Sequence, residues 1–223
     1  MSYSVNYQLC YAGGDPHFQT LDGLDYTFNG YGKFIYSRAN DNSYEVQVFC
    51  DVMNNINGSS TISGTIFTSF AMKTNDSSIF QIDIADSSSS NPYLMLKVDG
   101  IIVNDFSRNF QYSKDYQCTD NSNSTCTTVI QKDGAHFIFK NGLLLSLKLS
   151  KVVIAGQTLS WLTCNMVFSD NSLKNRISGL MGNNNGDKSD DLVSRTDSSI
   201  SANISVERSI YEIASTCKYT NLI

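Results

Sequence analysis

Tyr44-Glu45-Val46-Gln47-Val48-Phe49 alternates polar and apolar side chains and places Val46 and Val48 on one face. Successive side chains of an extended chain point to opposite faces, so this period of two fits a strand with one face in a core, not a helix of period 3.6. Ser78-Ile79-Phe80-Gln81-Ile82-Asp83-Ile84 repeats the pattern with Phe80, Ile82 and Ile84. Working outward, segments 65–72, 93–98, 127–131, 136–140, 143–149, 151–154 and 161–168 read as further strands. Asp99-Gly100, Asp133-Gly134 and Asn141-Gly142 punctuate them as hairpin dipeptides, which tolerate positive φ. Residues 86–91 and 120–124 are small polar loops of Ser and Asn. Only 205–216 reads as helix, with Val206, Ile210, Ile213 and Cys217 on one side and Glu207 and Arg208 outside. The expected fold is therefore mainly β, an antiparallel β-sandwich with a short C-terminal helix. No repeat or interior linker breaks the chain, which is read as a lead-in over 1–9 and a single domain over 10–223.

Composition narrows the function classes. The 223 residues carry a formal charge of −5, which disfavours electrostatic binding to nucleic acid. Charged residues make up 17% and Ser, Asn and Thr fill the gap, as in a polar-coated globule. No apolar run reaches the roughly 18 residues that a bilayer demands, so no direct membrane span is expected. The 12 Tyr and 12 Phe are not interleaved with basic residues and make no nucleic-acid platform. The opening MSYSVNYQLC has neither a basic start nor an apolar core, so it is no signal peptide. Yet six cysteines, an even number without a CxxC pair, suit disulfides and an oxidising compartment. The two readings agree if Met1 opens a piece of a longer secreted or cell-surface protein. Cys118 and Cys126 flank a Ser/Asn loop and are expected to close a hairpin. Cys10, Cys50, Cys164 and Cys217 allow three pairings, of which Cys10–Cys164 with Cys50–Cys217 is preferred. Glycosylation candidates are Asn57, Asn75, Asn123 and Asn203, although 22 Asn and 47 Ser plus Thr give about as many sequons by chance.

Two stretches carry chemistry. The first is Gly14-Asp15-Pro16-His17-Phe18, followed by Thr20-Leu21-Asp22-Gly23 and then Tyr26, Phe28, Gly30, Gly32 and Phe34. With only two prolines in the chain, an Asp-Pro bond beside a glycine pair stands out. The Asp15 carboxylate can attack its own carbonyl carbon, the Pro16 nitrogen leaves once protonated, and His17 is a neighbouring proton donor. The plain alternative is a turn whose φ is fixed by proline. The second stretch is Gly182-Asn183-Asn184-Asn185-Gly186-Asp187-Lys188-Ser189-Asp190-Asp191. Asn183, Asn185, Asp187, Asp190 and Asp191 form a compact set of hard oxygen donors of the kind Ca²⁺ takes six to eight of. The glycine spacing is wrong for an EF-hand and no flanking helices are apparent, and a solvated acidic turn is the bland alternative.

GGDPHFQTLDGLDYTFNGYGKF, followed some 140 residues later by SGLMGNNNGDKSDDL, resembles the von Willebrand factor type D domain. That family opens with a GDPH-type stretch leading to T-F-D-G and closes with a G-L-x-G-N segment. Many members carry two cysteines in the closing motif where Ser178 and Met181 stand here, a loss that resembles the branch found in membrane-associated mucins and related surface proteins. The resemblance implies a Ca²⁺ held between the two motifs, with Asp22 donating from far away in sequence and Asn183, Asn185, Asp190 and Asp191 as side-chain ligands. Asp187 stands where the family tends to offer a backbone carbonyl. It also implies self-cleavage between Asp15 and Pro16 as an alternative, since several relatives cleave there.

Hydrolase and transferase readings find no support. There are two histidines, and no GxSxG, HExxH, GxGxxG or P-loop spacing. His136, in a strand, reads as a structural or surface residue, and Trp161, in an apolar strand, is expected to be buried. The functional expectation is an extracellular Ca²⁺-stabilised adhesion or assembly module, without turnover, acting on other extracellular domains or on its own copies. A self-cleaving module and a lipid- or ligand-carrier module are the alternatives.

Overall fold

A computed structural model gives the fold and describes residues 8–53, 64–75, 77–87, 89–105, 112–117, 125–131, 133–139, 142–154, 156–168, 173–197, 199, 202–203 and 205–218. The chain begins with β1 (Gln8–Gly13), β2 (His17–Gln19), β3 (Asp25–Thr27), β4 (Gly32–Ala39) and β5 (Tyr44–Val52). It continues through β6 (Thr65–Thr74), β7 (Phe80–Ala85), β8 (Tyr93–Val98), β9 (Ile101–Asp105) and β10 (Tyr112–Gln117). Then come β11 (Thr125–Gln131), β12 (Gly134–Ile138), β13 (Leu143–Ile154), β14 (Gln157–Phe168), β15 (Ile177–Ser178) and a helix α1 (Glu207–Ser215). One sheet has eight strands in the order β10-β11-β12-β13-β14-β1-β2-β3, the other seven in the order β15-β4-β5-β6-β7-β8-β9. The two sheets face each other, with β14 packed on β6 and β7.

Alternation decides which side chains meet between the sheets. Tyr44, Val46, Val48 and Cys50 of β5 are buried on one face of the core, and Leu162, Cys164, Met166 and Phe168 of β14 on the other. Rings fill the space: Phe70 meets Tyr36 with centroids 5.3 Å apart and Phe67 at 5.6 Å, both edge-on. Each such ring removed from water contributes about 1.5–3 kcal/mol. The same alternation corrects one expectation. In β14 the even positions point inward, so Trp161 lies half-buried on the outer face, opposite Ser150 of β13. Segments 143–149 and 151–154, read as two strands, are one continuous strand β13 paired along its whole length with β14. At the β8–β9 hairpin, Asp99 and Gly100 both take positive φ, 50° and 79°, as the dipeptide required.

The late part of the chain returns to β4. A register shift between Ile35 and Ser37 opens the strand's edge, and there Leu180 N–H donates to the Ile35 carbonyl at 3.1 Å and Met181 N–H to the Tyr36 carbonyl at 3.0 Å. Helix α1 buries Ile210, Ile213 and Ala214 and leaves Glu207 and Arg208 in solvent, as the spacing implied. Behind it Ile35 N–H donates to the Cys217 carbonyl at 2.9 Å, so both the 180–181 segment and the helix exit are fastened to one strand.

Candidate functional site

The two motifs meet. Between β2 and β3 the chain makes a tight turn in which Leu24 N–H donates to Thr20 Oγ1 at 2.9 Å and to no other acceptor of the turn, while Thr20 N–H donates to the Leu24 carbonyl at 3.0 Å. That turn presents Asp22 to the late loop, where Asn185 N–H donates to one carboxylate oxygen at 2.8 Å and Gly186 N–H to the other at 3.0 Å. Thr20 donates its hydroxyl to the Asp191 carboxylate, and both residues are almost fully buried. Leu21 N–H reaches the Met181 carbonyl at 3.3 Å, and the Tyr26 hydroxyl reaches the Leu180 carbonyl at 2.5 Å. Side chains and backbone some 160 positions apart are thus joined through four residues of one short turn and strand.

Inside the late loop the carboxylates already have donors. Asp191 takes the Asn183 N–H at 3.2 Å. Asp190 takes the amide nitrogen of Asn183 at 2.9 Å and that of Asn185 at 2.9 and 3.0 Å on its two oxygens. The amide oxygens turn the other way: Asn183 Oδ1 accepts from Asn185 N–H at 3.1 Å and Asn185 Oδ1 from Asp187 N–H at 2.6 Å. Gly182 allows this closeness, because a Cβ there would stand 2.2 Å from Asp191 Oδ1, at a φ of 84° that side chains rarely adopt. Burial pushes the Asp191 carboxyl up to about 6; the Asp22 carboxylate beside it adds to the rise, and the Thr20 and Asn183 donors oppose it.

Asp187 turns its carboxylate to its own turn, which leaves its backbone carbonyl as the group it would offer an ion. Its carboxylate accepts from Ser189 N–H at 2.9 Å and Ser189 Oγ at 2.6 Å, capping the short 3₁₀ turn Lys188–Asp190 in solvent. These bonds hold its carboxyl below the usual range. Among the described residues no three His, Cys, Asp or Glu side chains converge closely enough to hold an ion by themselves. A cation at this junction would therefore draw on the amide oxygens and loop carbonyls as well. The donor chemistry fits a hard cation: every group is an oxygen, and Asp22 and Asp191 stand close with like charge.

The other candidates lie apart from this junction. Asp15 and Pro16 occupy the turn between β1 and β2, with Asp15 exposed, Pro16 buried, and the Pro16 carbonyl accepting from Phe28 N–H at 3.1 Å. His17 is exposed on β2 with its Nδ1 2.8 Å from Thr27 Oγ1, a partner on the neighbouring strand. Cys10, Cys50, Cys164 and Cys217 are buried thiols in this structure. Cys10 and Cys164 sit on adjacent strands, two positions out of register, since Cys10 faces Met166 and Ala12 faces Cys164. Cys50 faces Gly32 across one edge of β4, whereas Cys217 meets Ile35 on the other edge. A strand lies between them, a separation of about 9.5 Å where a disulfide tolerates about 7 Å, so this backbone does not bring that expected pair together. Cys118 lies outside the described residues, though its hairpin is present, with Gln117 opposite Thr125 and Tyr116 opposite Cys126. Asn75 and Asn203 are exposed, and Asn57 and Asn123 lie outside the described residues. His136 is exposed on β12, as a surface histidine.

The sequence reading passed over Thr20, Tyr26 and Gly182 as functional positions. Thr20 and Tyr26 stood inside the quoted opening motif, but nothing in their spacing announced bonds to Asp191 and Leu180. No helix among the described residues is long and apolar enough to cross a membrane.

Comparison with known proteins agrees with this geometry. The chain is 34% identical over 79 residues to sushi domain-containing protein 2 of Homo sapiens, a match covering 35% of this chain and 10% of that protein. The chain thus spans about a tenth of the length of that curated relative. Residues 10–198 match the von Willebrand factor type D domain, a stretch that holds both motifs, most of β1 and the described strands β2 to β15, and the chain belongs to that family.

Proposed function

We propose that this domain is a calcium-stabilised extracellular module, working in adhesion or assembly within a larger secreted or cell-surface protein. Domains of this family are generally non-catalytic. The observation that carries the reading is the junction itself: the Asp22 carboxylate received by the Asn185 and Gly186 N–H groups, with Asp191 buried next to it. Asp22, Asn183, Asn185, Asp190 and Asp191 would hold the ion through side-chain oxygens, and Asp187 through its carbonyl. When bound, Ca²⁺ supplies positive charge between carboxylates that otherwise repel. The protein's own share is to bring the donors together: Thr20 orients Asp191, Gly182 admits it, and the β4 bulge fixes Leu180 and Met181 above the turn. An unfolded chain has no such site, so ion binding adds directly to folding stability. Other extracellular domains, or further copies of this one, are its partners in this reading.

Thermal unfolding in Ca²⁺ and in chelator tests it. The native chain is expected to melt higher in Ca²⁺, and Asp22→Ala to lower that value toward the one in chelator. Equal melting temperatures of the native chain in both buffers overturn the calcium reading.

Self-cleavage is a second reading, favoured by one observation. The Asp15–Pro16 bond sits at the turn between β1 and β2 with Asp15 exposed and Pro16 buried, so water reaches the residue whose carboxylate would attack its own carbonyl. The new C–O bond forms as the C–N bond breaks, the proton goes to the Pro16 nitrogen, and water opens the resulting anhydride. A fragment beginning at Pro16 after mild acid heating supports it; survival of the intact chain on a denaturing gel argues against it. The aromatic filling between the sheets gives the carrier reading no observation to stand on.

A further inference from the structure

A cleft of about 550 Å³ opens beside the late loop, lined there by Asn183, Asn185, Asp190 and Asp191 but not by Asp22. Its size is that of a ligand pocket. One wall is the 183–191 loop; the other carries Arg38 of β4, Arg195, and the edge strand β15 with Ile177 and Ser178. We propose that this cleft binds an acidic, extended peptide segment through its carboxylates, with Arg195 and Arg38 as the recognition residues.

The charges facing the cleft are not equally engaged. Asp190 is occupied by the amide nitrogens of Asn183 and Asn185, and Asp191 by Thr20 and the Asn183 N–H. Arg38 touches Glu45 with a single contact at 3.4 Å, which leaves most of its five donors unused. The Arg195 guanidinium makes no hydrogen bond or ion pair with any described residue, although its backbone is pinned, its N–H donating to Thr216 Oγ1 at 2.9 Å. A half-buried guanidinium fork on a fixed backbone is matched bidentately by a carboxylate.

The strand edge argues for a peptide over other carboxylates. β15 is two residues long, ends the seven-stranded sheet, and among the described residues pairs only with β4, through Ile177 opposite Ala39 and Ser178 opposite Arg38. Both of its residues line the cleft, where an extended chain can add as a further strand and be read by the arginines on alternate side chains. Val193, half-buried, offers apolar contact to the intervening residues. The inference rests on reading the domain as a binding module and names the chemistry of its partner.

A fluorescein-labelled decapeptide alternating Asp with Val is the probe, and the same peptide with Asn for Asp is the control. Fluorescence anisotropy at moderate salt is expected to show saturable binding of the acidic probe and at least about tenfold weaker binding of the control. Arg195→Gln and Arg38→Gln are each expected to weaken the acidic probe by a similar factor; Arg195→Lys, which keeps the charge, serves if the Gln variant does not melt cooperatively, and is expected to bind more weakly than the native chain. Equal binding of both peptides, absence of saturable binding up to millimolar concentration, or unchanged affinity in the variants overturns the proposal. So does preferential binding of a sulfated oligosaccharide run as a competitor. A calcium-dependent melting shift retained in the absence of peptide binding overturns this inference alone and leaves the reading of the domain standing.

Discussion

The space between the sheets and the junction at Asp22 hold the molecule by different means. Between the sheets, rings and aliphatic chains such as Phe67, Phe70, Leu145 and Met166 are buried with no directional demand beyond shape. At the junction, the contacts are hydrogen bonds, most of them to carboxylates that each take two or more donors. Apolar burial is insensitive to pH and to ions, whereas a set of close carboxylates responds to both. Stability and its regulation are thereby separated in space: the core sets how stable the domain is, and the junction sets how that stability varies with conditions.

Phe70→Ala breaks the comparison on the core side and has the largest expected effect. Phe70 is fully buried between Tyr36 and Phe67, so its loss should cost about 3–5 kcal/mol in denaturant unfolding, equally in Ca²⁺ and in chelator. A cost that depends on Ca²⁺ would show that the two regions are not independent. Gly182→Ala attacks the junction: the backbone strain alone costs about 1–3 kcal/mol, and the new methyl displaces Asp191. Its mark is expected to be a reduced melting shift on adding Ca²⁺, which a purely structural glycine would leave unchanged.

The smallest effect is on pH dependence. Because the folded chain holds the Asp191 proton up to about pH 6 and an unfolded Asp releases it near pH 3.9, the folded state binds more protons between those values. In chelator, the stability due to Asp191 is therefore full below about pH 4 and is lost as pH rises through about 6. Calcium affinity is expected to rise across the same window, since the carboxylate must be ionised to take part. Melting curves from pH 4 to 7 with and without Ca²⁺ check both signs, and parallel profiles would remove Asp191 from the site.

Much of this was legible beforehand. Alternation in Tyr44–Val52 and Phe80–Ala85 located two core strands, and the helix register placed Ile210 and Ile213 inward. The short strands β2 and β3 carry three residues each, too few for a period to register, and β15 only two. Asp22 was identified through the family motif, whereas the late loop stood out by its own run of oxygen donors. Thr20 and Tyr26 escaped because a hydroxyl in a turn or strand has many acceptors within reach, and local sequence does not rank them.

The sequence by itself determined the longer strands, the hairpin turns and the inward face of the helix at Ile210 and Ile213, since side-chain period and turn chemistry are local and act before any contact forms. Only the tertiary structure decided which distant segments became neighbours: that Trp161 faces outward, that β4 stands between Cys50 and Cys217, that Asp187 caps its own turn, and that the Arg195 guanidinium, without a partner among the described residues, lines the same cleft as β15. Those outcomes depend on how two sheets twist and stack and on where the returning chain meets an opened strand, quantities summed over the whole molecule that no short window of residues contains.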